Sequence, residues 1–195
     1  MILDIVKIKD ETAVGEMAIK RNGLVVGSIK MQKLSAEGTW NISFGGKEIV
    51  ISENSNRATT EMLSASQIET GGNYSGLCFQ LHSGTLFNKY DIYEMRYQSL
   101  SYNLYPIAPT DCKALPIFYG NKQVASVEND LSDPSLFRNG QILAEEGDNG
   151  QKDRFAIVAL IFLCYVRSFP KPLVSVTNKK LLGKIDRAFP DRIRI

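Results

Sequence analysis

The feature that most constrains this chain is a run of twelve unbroken apolar residues, Phe155 to Val166, near the end of an otherwise polar, strand-like sequence. Lys152, Asp153 and Arg154 precede the run, Arg167 follows it, and Pro170 and Pro172 stop it. It is too long for an ordinary strand of about five or six residues. As a helix it spans roughly 18 Å at about 1.5 Å per residue, well short of a bilayer core of about 30 Å. The run therefore predicts a hydrophobic helix over residues ~153–168 that does not cross a membrane. A helix apolar on every side must be covered by protein on every side.

The rest of the chain reads as the cover. Glu16–Lys20 and Leu24–Met31 flank Arg21-Asn22-Gly23, and an Asn-Gly turn between apolar alternations is a strong hairpin signal. Trp40, Ile42 and Phe44 alternate on one face before Gly45-Gly46 turns the chain into Glu48–Ser52. Strand patterns resume at Gly76–His82, with Phe79 and Leu81 on one face and Cys78, Gln80 and His82 on the other. They continue through Lys89–Ser99, Ser101–Ile107, Leu115–Tyr119, Gln123–Glu128 and Gly140–Glu145. Many short strands with turns between them predict a closed antiparallel barrel or a sandwich. A barrel closed around a central helix satisfies the strands and the helix together. Residues 53–76 read differently, as a polar insert in which Met62, Leu63, Ala65 and Ile68 could line one face of a short helix from about Thr59 to Glu69. Ile19-x6-Val26-Gly27-Ser28-Ile29 recurs as Ile117-x6-Val124-Ala125-Ser126-Val127, each with a turn inside its gap, which predicts a duplicated half-barrel.

At 195 residues the chain suits one domain, 1–195, and 44% hydrophobic with 23% charged residues is the balance of a soluble globular protein. The N-terminus carries Asp4, Lys7, Lys9 and Asp10 and so lacks an apolar signal region. Cys78, Cys112 and Cys164 are far apart with no C-x-x-C pair, which suits a reduced, cytoplasmic protein. The net charge of +2 hides an asymmetry: residues 1–150 hold 13 Lys/Arg against 18 Asp/Glu, and residues 151–195 hold 10 against 3. A basic end on an acidic body either meets anionic lipid or nucleic acid, or lies on the acidic face of its own domain.

Three segments resemble the tubby-like superfamily, which includes tubby C-terminal domains, LURP-one-related proteins and phospholipid scramblases. One is the terminal helix Asp153-Arg154-Phe155-Ala156-Ile157-Val158-Ala159-Leu160-Ile161-Phe162-Leu163; another is the hairpin Pro116–Val127; the third is the matching hairpin at Leu24–Ile29. Together they span most of residues 16–169. The resemblance implies a barrel of about twelve strands around the helix and a non-enzymatic role, often lipid or phosphoinositide binding at a membrane. The Lys and Arg positions that phosphoinositide-binding members use have no match here. Glu145, Glu146, Asp148 and Asn149 stand where scramblases carry a calcium segment, without the alternating ligand spacing of a calcium loop. They read as a capping loop, with Asp148 or Asn149 at the cap.

No catalytic, cofactor or metal residues are expected. The one histidine, His82, would lie roughly 13 Å from Cys78 along a strand, too far for a nucleophile–base pair. One His and scattered Cys do not make a zinc site, and no P-loop, G-x-G-x-x-G or G-x-S-x-G motif occurs. Tyr90, Tyr93, Tyr97, Tyr102 and Tyr105 cluster in a stretch that lacks the interleaved cations of a nucleic-acid surface. The basic tail, about 171–195, offers a second patch. Thr177 can cap a helix with Leu181, Leu182, Ile185, Ala188 and Phe189 on one side and Lys179, Lys180, Lys184 and Arg187 on or beside the other. Such a helix either lies on an anionic membrane surface as a peripheral contact, or docks its leucines on the barrel. The expected function is binding of anionic phospholipid or a membrane-associated partner; the alternative is an interaction module that forms an oligomer.

Overall fold

The computed structural model describes residues 1–11, 14–34, 37–53, 62–85, 88–105, 114–129, 139–147, 152–168 and 185–194. Within them lie twelve strands: β1 Ile2–Asp10, β2 Val14–Arg21, β3 Leu24–Leu34, β4 Glu37–Phe44, β5 Lys47–Glu53, β6 Met62–Thr70, β7 Asn73–Thr85, β8 Asn88–Tyr97, β9 Leu100–Leu104, β10 Ala114–Tyr119, β11 Lys122–Asn129 and β12 Gly140–Ala144. Each pairs antiparallel with its chain neighbours, and β1 pairs with β12, so the sheet closes into the expected barrel. Closure leaves no strand edge to be managed. The helices are α1, Arg154–Ser168, and α2, Phe189–Arg194.

Two expectations need correction. Residues 62–70 of the supposed polar insert are not helical; they form β6, paired with β5 and β7 in the barrel wall, while residues 54–61 lie outside the described residues. Leu63 is an extra residue at the Met62/Ser64 register shift, whereas Ser64 to Ile68 pair with β7 without a break. The bulge breaks the two-residue alternation at Leu63. Ala65 and Ile68 lie on opposite faces of the strand but are both buried, so their three-residue spacing imitates a helix face. Nor is the echo a half-barrel. A duplicated half would place the copies six strands apart in a ring of twelve, but they are β2–β3 and β10–β11, four strands apart through the β1–β12 junction.

The ring is threefold instead. Ile19 faces Gly27, Ile68 faces Gly76 and Ile117 faces Ala125, each pair followed by a register shift, and each step is 49 residues, from 19 to 68 and from 68 to 117. The preceding strands obey the same register, with Ile5 opposite Ile19, Ile51 opposite Ile68 and Leu104 opposite Ile117. The strands that follow match too: Gly27–Phe44, Gly76–Tyr97 and Ala125–Ala144 are partners. Four strands thus make one unit, and β1–β4, β5–β8 and β9–β12 are three copies. Gly27 and Gly76 are required by this geometry: a Cβ would stand 2.2 Å from the Ser43 carbonyl oxygen at the first and 1.9 Å from that of Arg96 at the second.

Residues from Ala156 to Tyr165 on α1 are at most 2% exposed, and they share one core with Ile5, Ile19, Trp40, Met95 and Ile142 of the strands. The helix packs against β4, β5, β8, β11 and β12. Phe155 meets Tyr102 edge-on near its start and Tyr165 meets Tyr93 near its end. Among the described residues no helix is long and apolar enough to cross a membrane, which says nothing of strands.

The described part of the tail docks on the barrel. Phe189 is fully buried, and α2 packs on β12. The Asp186 N–H donates to Gln123 Oε1 at 3.0 Å, and Gln123 Nε2 donates to Ser126 Oγ at 2.9 Å. Arg194 reaches Glu128 and Gln141 on the same outer face. This covers β11–β12 on the side away from Val127 and Ile142.

Candidate functional site

Antiparallel strands put alternate connections at opposite ends, and the two-residue turns among the described residues fall at one end: Asn22-Gly23, Gly45-Gly46, Gly71-Gly72, Gln98-Ser99 and Gly120-Asn121. Short hairpins of this kind need left-handed backbone, which Asn22 and the glycines supply cheaply. The β8–β9 turn departs from this economy. Gln98 and Ser99 hold φ of 49° and 65°, where the equivalent β4–β5 turn uses Gly45 and Gly46. A side chain kept at strained backbone invites a functional explanation, and Gln98 lines a cavity.

That cavity, of about 450 Å³, opens at the short-turn end where α1 begins. Gly45 and Lys47 line it from the β4–β5 turn, Tyr97 and Gln98 from the end of β8, and Lys152, Asp153, Arg154 and Ile157 from the start of α1. Asp153 stands at the helix cap, its carbonyl accepting from the Ile157 N–H at 2.8 Å. Asp148 and Asn149, expected at the cap, lie outside the described residues. The Asp153 carboxylate also takes an ion pair from Arg21 at 3.3 Å. Gly45 allows that carboxylate close to the turn, since a Cβ there would be 3.1 Å from Asp153 Oδ2.

The electrostatics favour an anion. Lys47, Lys152 and Arg154 line the cavity against one carboxylate, and that carboxylate is already engaged by Arg21. The positive end of α1 adds to the same field. Tyr97, 1% exposed, contributes a hydroxyl with only long contacts, 3.5 Å to Thr70 Oγ1 and 3.4 Å to Gln98 Nε2. Beneath it Tyr102 Oη is buried without a hydrogen-bond partner. Burial pushes the Tyr102 hydroxyl above its ordinary pKa, and the Arg154 guanidinium pulls the other way.

The tail residues picked out from sequence are not among the cavity's described lining. Lys179, Lys180 and Lys184 lie outside the described residues, and Arg187 is exposed beside the docked α2 and does not line the cavity. The tyrosine cluster is mostly inward: Tyr93, Tyr97 and Tyr102 are buried, and Tyr105 lies edge-on to Phe118. Cys78 is buried, with its thiol pushed well above the usual value by burial. The cavity's cations were missed because Lys47 is over a hundred residues from Lys152 in sequence, and only barrel closure joins them. The one legible signal was the Lys152-Asp153-Arg154 bracket before the helix. No protein-family model, curated protein or solved structure matches this chain.

Proposed function

We propose that this chain is a non-enzymatic binding module of the tubby-like kind, in which α1 runs along the barrel lumen and the short-turn end receives an anionic phospholipid headgroup. The lumen placement is supported by burial on every side of α1 and by its contacts with β4 and β5 across the ring from β11 and β12. Its aromatic contacts, first with Tyr102 and ten residues later with Tyr93, fit a helix advancing along the strands. The observation that carries the binding reading is the cationic cavity. Its described lining offers ammonium, guanidinium, amide and phenol groups, and its one carboxylate, Asp153, is engaged by Arg21, which favours holding an anion over transforming one. Vesicle flotation tests the reading: the protein should float with vesicles containing phosphatidylserine or phosphoinositide and not with neutral ones, and equal recovery from both ends it. Burial of Tyr93, Tyr97 and Tyr102 and the pairing of residues 62–70 in the barrel wall take those residues out of an oligomer surface and so weigh toward the binding reading.

A further inference from the structure

Large apolar side chains are exposed at the same end of the barrel as the cavity. Leu24 is 72% exposed and Val25 66%, just after the β2–β3 turn; Tyr74 is 60% exposed, beside the β6–β7 turn; Tyr119 is 42% exposed, beside the β10–β11 turn. These are the corresponding hairpins of the three four-strand units, so the tips stand four strands apart around the ring. The cavity occupies positions between them, at the β4–β5 turn, the β8–β9 turn and the start of α1. Three apolar tips therefore surround a cavity whose cations are Lys47 from the β4–β5 turn and Lys152 and Arg154 from the start of α1.

From this arrangement we infer that the short-turn end is a membrane-docking face: the three hairpin tips enter the interface of an anionic bilayer while Lys47, Lys152 and Arg154 engage lipid phosphates. The inference rests on the anionic-lipid reading above and adds to it where the protein meets the bilayer. Charge and chemistry select the occupant. A bilayer supplies an apolar interior for Leu24 and Val25, an interfacial zone that suits tyrosine, and negative headgroups for the cations. A second copy of the chain does not, because a twofold contact sets the same patch against itself and would oppose Lys47, Lys152 and Arg154 to their own like. Of the other described exposed apolar side chains, Val26 continues the β2–β3 tip. Ile8 and Val14 lie at the opposite end, where Asp10 and Glu11 pair with Lys7 and Lys9 and the local charge is balanced rather than positive.

The test uses the full chain with vesicles of phosphatidylcholine, with and without phosphatidylserine, and three double variants. L24S/V25S removes one apolar tip, K47E/K152E reverses the cavity charge, and K179E/K180E alters the tail. All six positions are at exposed or terminal sites, and thermal melting checks that each variant is folded. We expect L24S/V25S to weaken binding to the anionic vesicles roughly tenfold or more, K47E/K152E to weaken it at least about twentyfold from about fivefold per surface charge, and K179E/K180E to leave it near the parent's. With Leu24→Trp, vesicles carrying brominated acyl chains should quench the new indole, while Trp40, buried at 1% exposure, is unaffected. If L24S/V25S binds as the parent does while K47E/K152E loses binding, the docking face is wrong and the headgroup reading stands. If both short-turn variants bind as the parent does, or the tail variant alone loses binding, both readings fall. Failure of the parent to bind anionic vesicles at all ends both. Concentration-dependent dimerisation in sedimentation that L24S/V25S abolishes would instead assign the tips to a second copy and overturn the docking face.

Discussion

The first two four-strand units and the third share one register but not one environment. At the matched position the first two carry Gly27 and Gly76, while the third carries Ala125. In the first two, the next strand's carbonyl stands where a Cβ would go, so only hydrogen fits. In the third unit the described tail covers the outer face, through Phe189 and the Gln123–Asp186 contact. Equal hydrogen-bond register thus does not imply equal side-chain room. The ladder sets which residues face each other, and the approach of the neighbouring strand's carbonyl sets how much space each one has.

The largest expected effect breaks this contrast directly. Gly76→Ala forces backbone apart and should cost about 3 kcal/mol or more, whereas Ala125→Gly should cost only about 1 kcal/mol through added chain entropy. Urea unfolding of the two variants measures both, and equal losses would mean that the units are interchangeable at this site. Next comes the cover of the third unit. Phe189→Ala empties a fully buried site and should lose about 3 kcal/mol, with faster hydrogen exchange in β11 and β12 but not in β3 and β4. Uniform exchange would show that the tail acts on the whole barrel.

A third prediction concerns the core position that holds Ile29, Cys78 and Val127 in the three units. Burial raises the Cys78 thiol pKa above the ordinary 9.0, so the folded state keeps it neutral while the unfolded chain ionises it. Its contribution is complete below pH 9 and is lost as pH rises from there toward the raised value. Cys78→Val should flatten that alkaline decline in a pH series of thermal melts; an unchanged slope would place its origin elsewhere. The smallest effect belongs to Tyr102, which stands where the other units have Leu3 and Ile49. Its hydroxyl is buried without a partner, so Tyr102→Phe should change stability by less than about 0.5 kcal/mol or raise it slightly. A clear loss would reveal a bonded hydroxyl in solution.

Much of the barrel was legible locally. Asn22-Gly23 and Gly45-Gly46 announce left-handed turns, and Trp40, Ile42 and Phe44 announce an inward face, because these signals act over two or three residues. Residues 62–70 were not legible because β6 is buried on both faces at Ala65 and Ile68 and carries a register shift at Met62/Ser64 that the neighbouring strand sets, so the one-face alternation of an ordinary strand is missing. The threefold register was half visible as the Ile19 and Ile117 echo. Its middle copy, Ile68 to Gly76, keeps the spacing while sharing too few side chains to be noticed. The tail's leucines lie outside the described residues, but Phe189, placed from sequence on the apolar side, is buried.

By itself the sequence determined that a twelve-residue apolar helix had to be surrounded and that short strands were available to surround it. Burying apolar surface and satisfying hairpin turns are demands each segment makes alone. Only the tertiary structure decided that β1 meets β12, that three units repeat around the ring, and that Lys47 meets Lys152 and Arg154 at one cavity. Those outcomes depend on strand register and ring closure, which are properties of pairs of distant segments and are written in no single one of them.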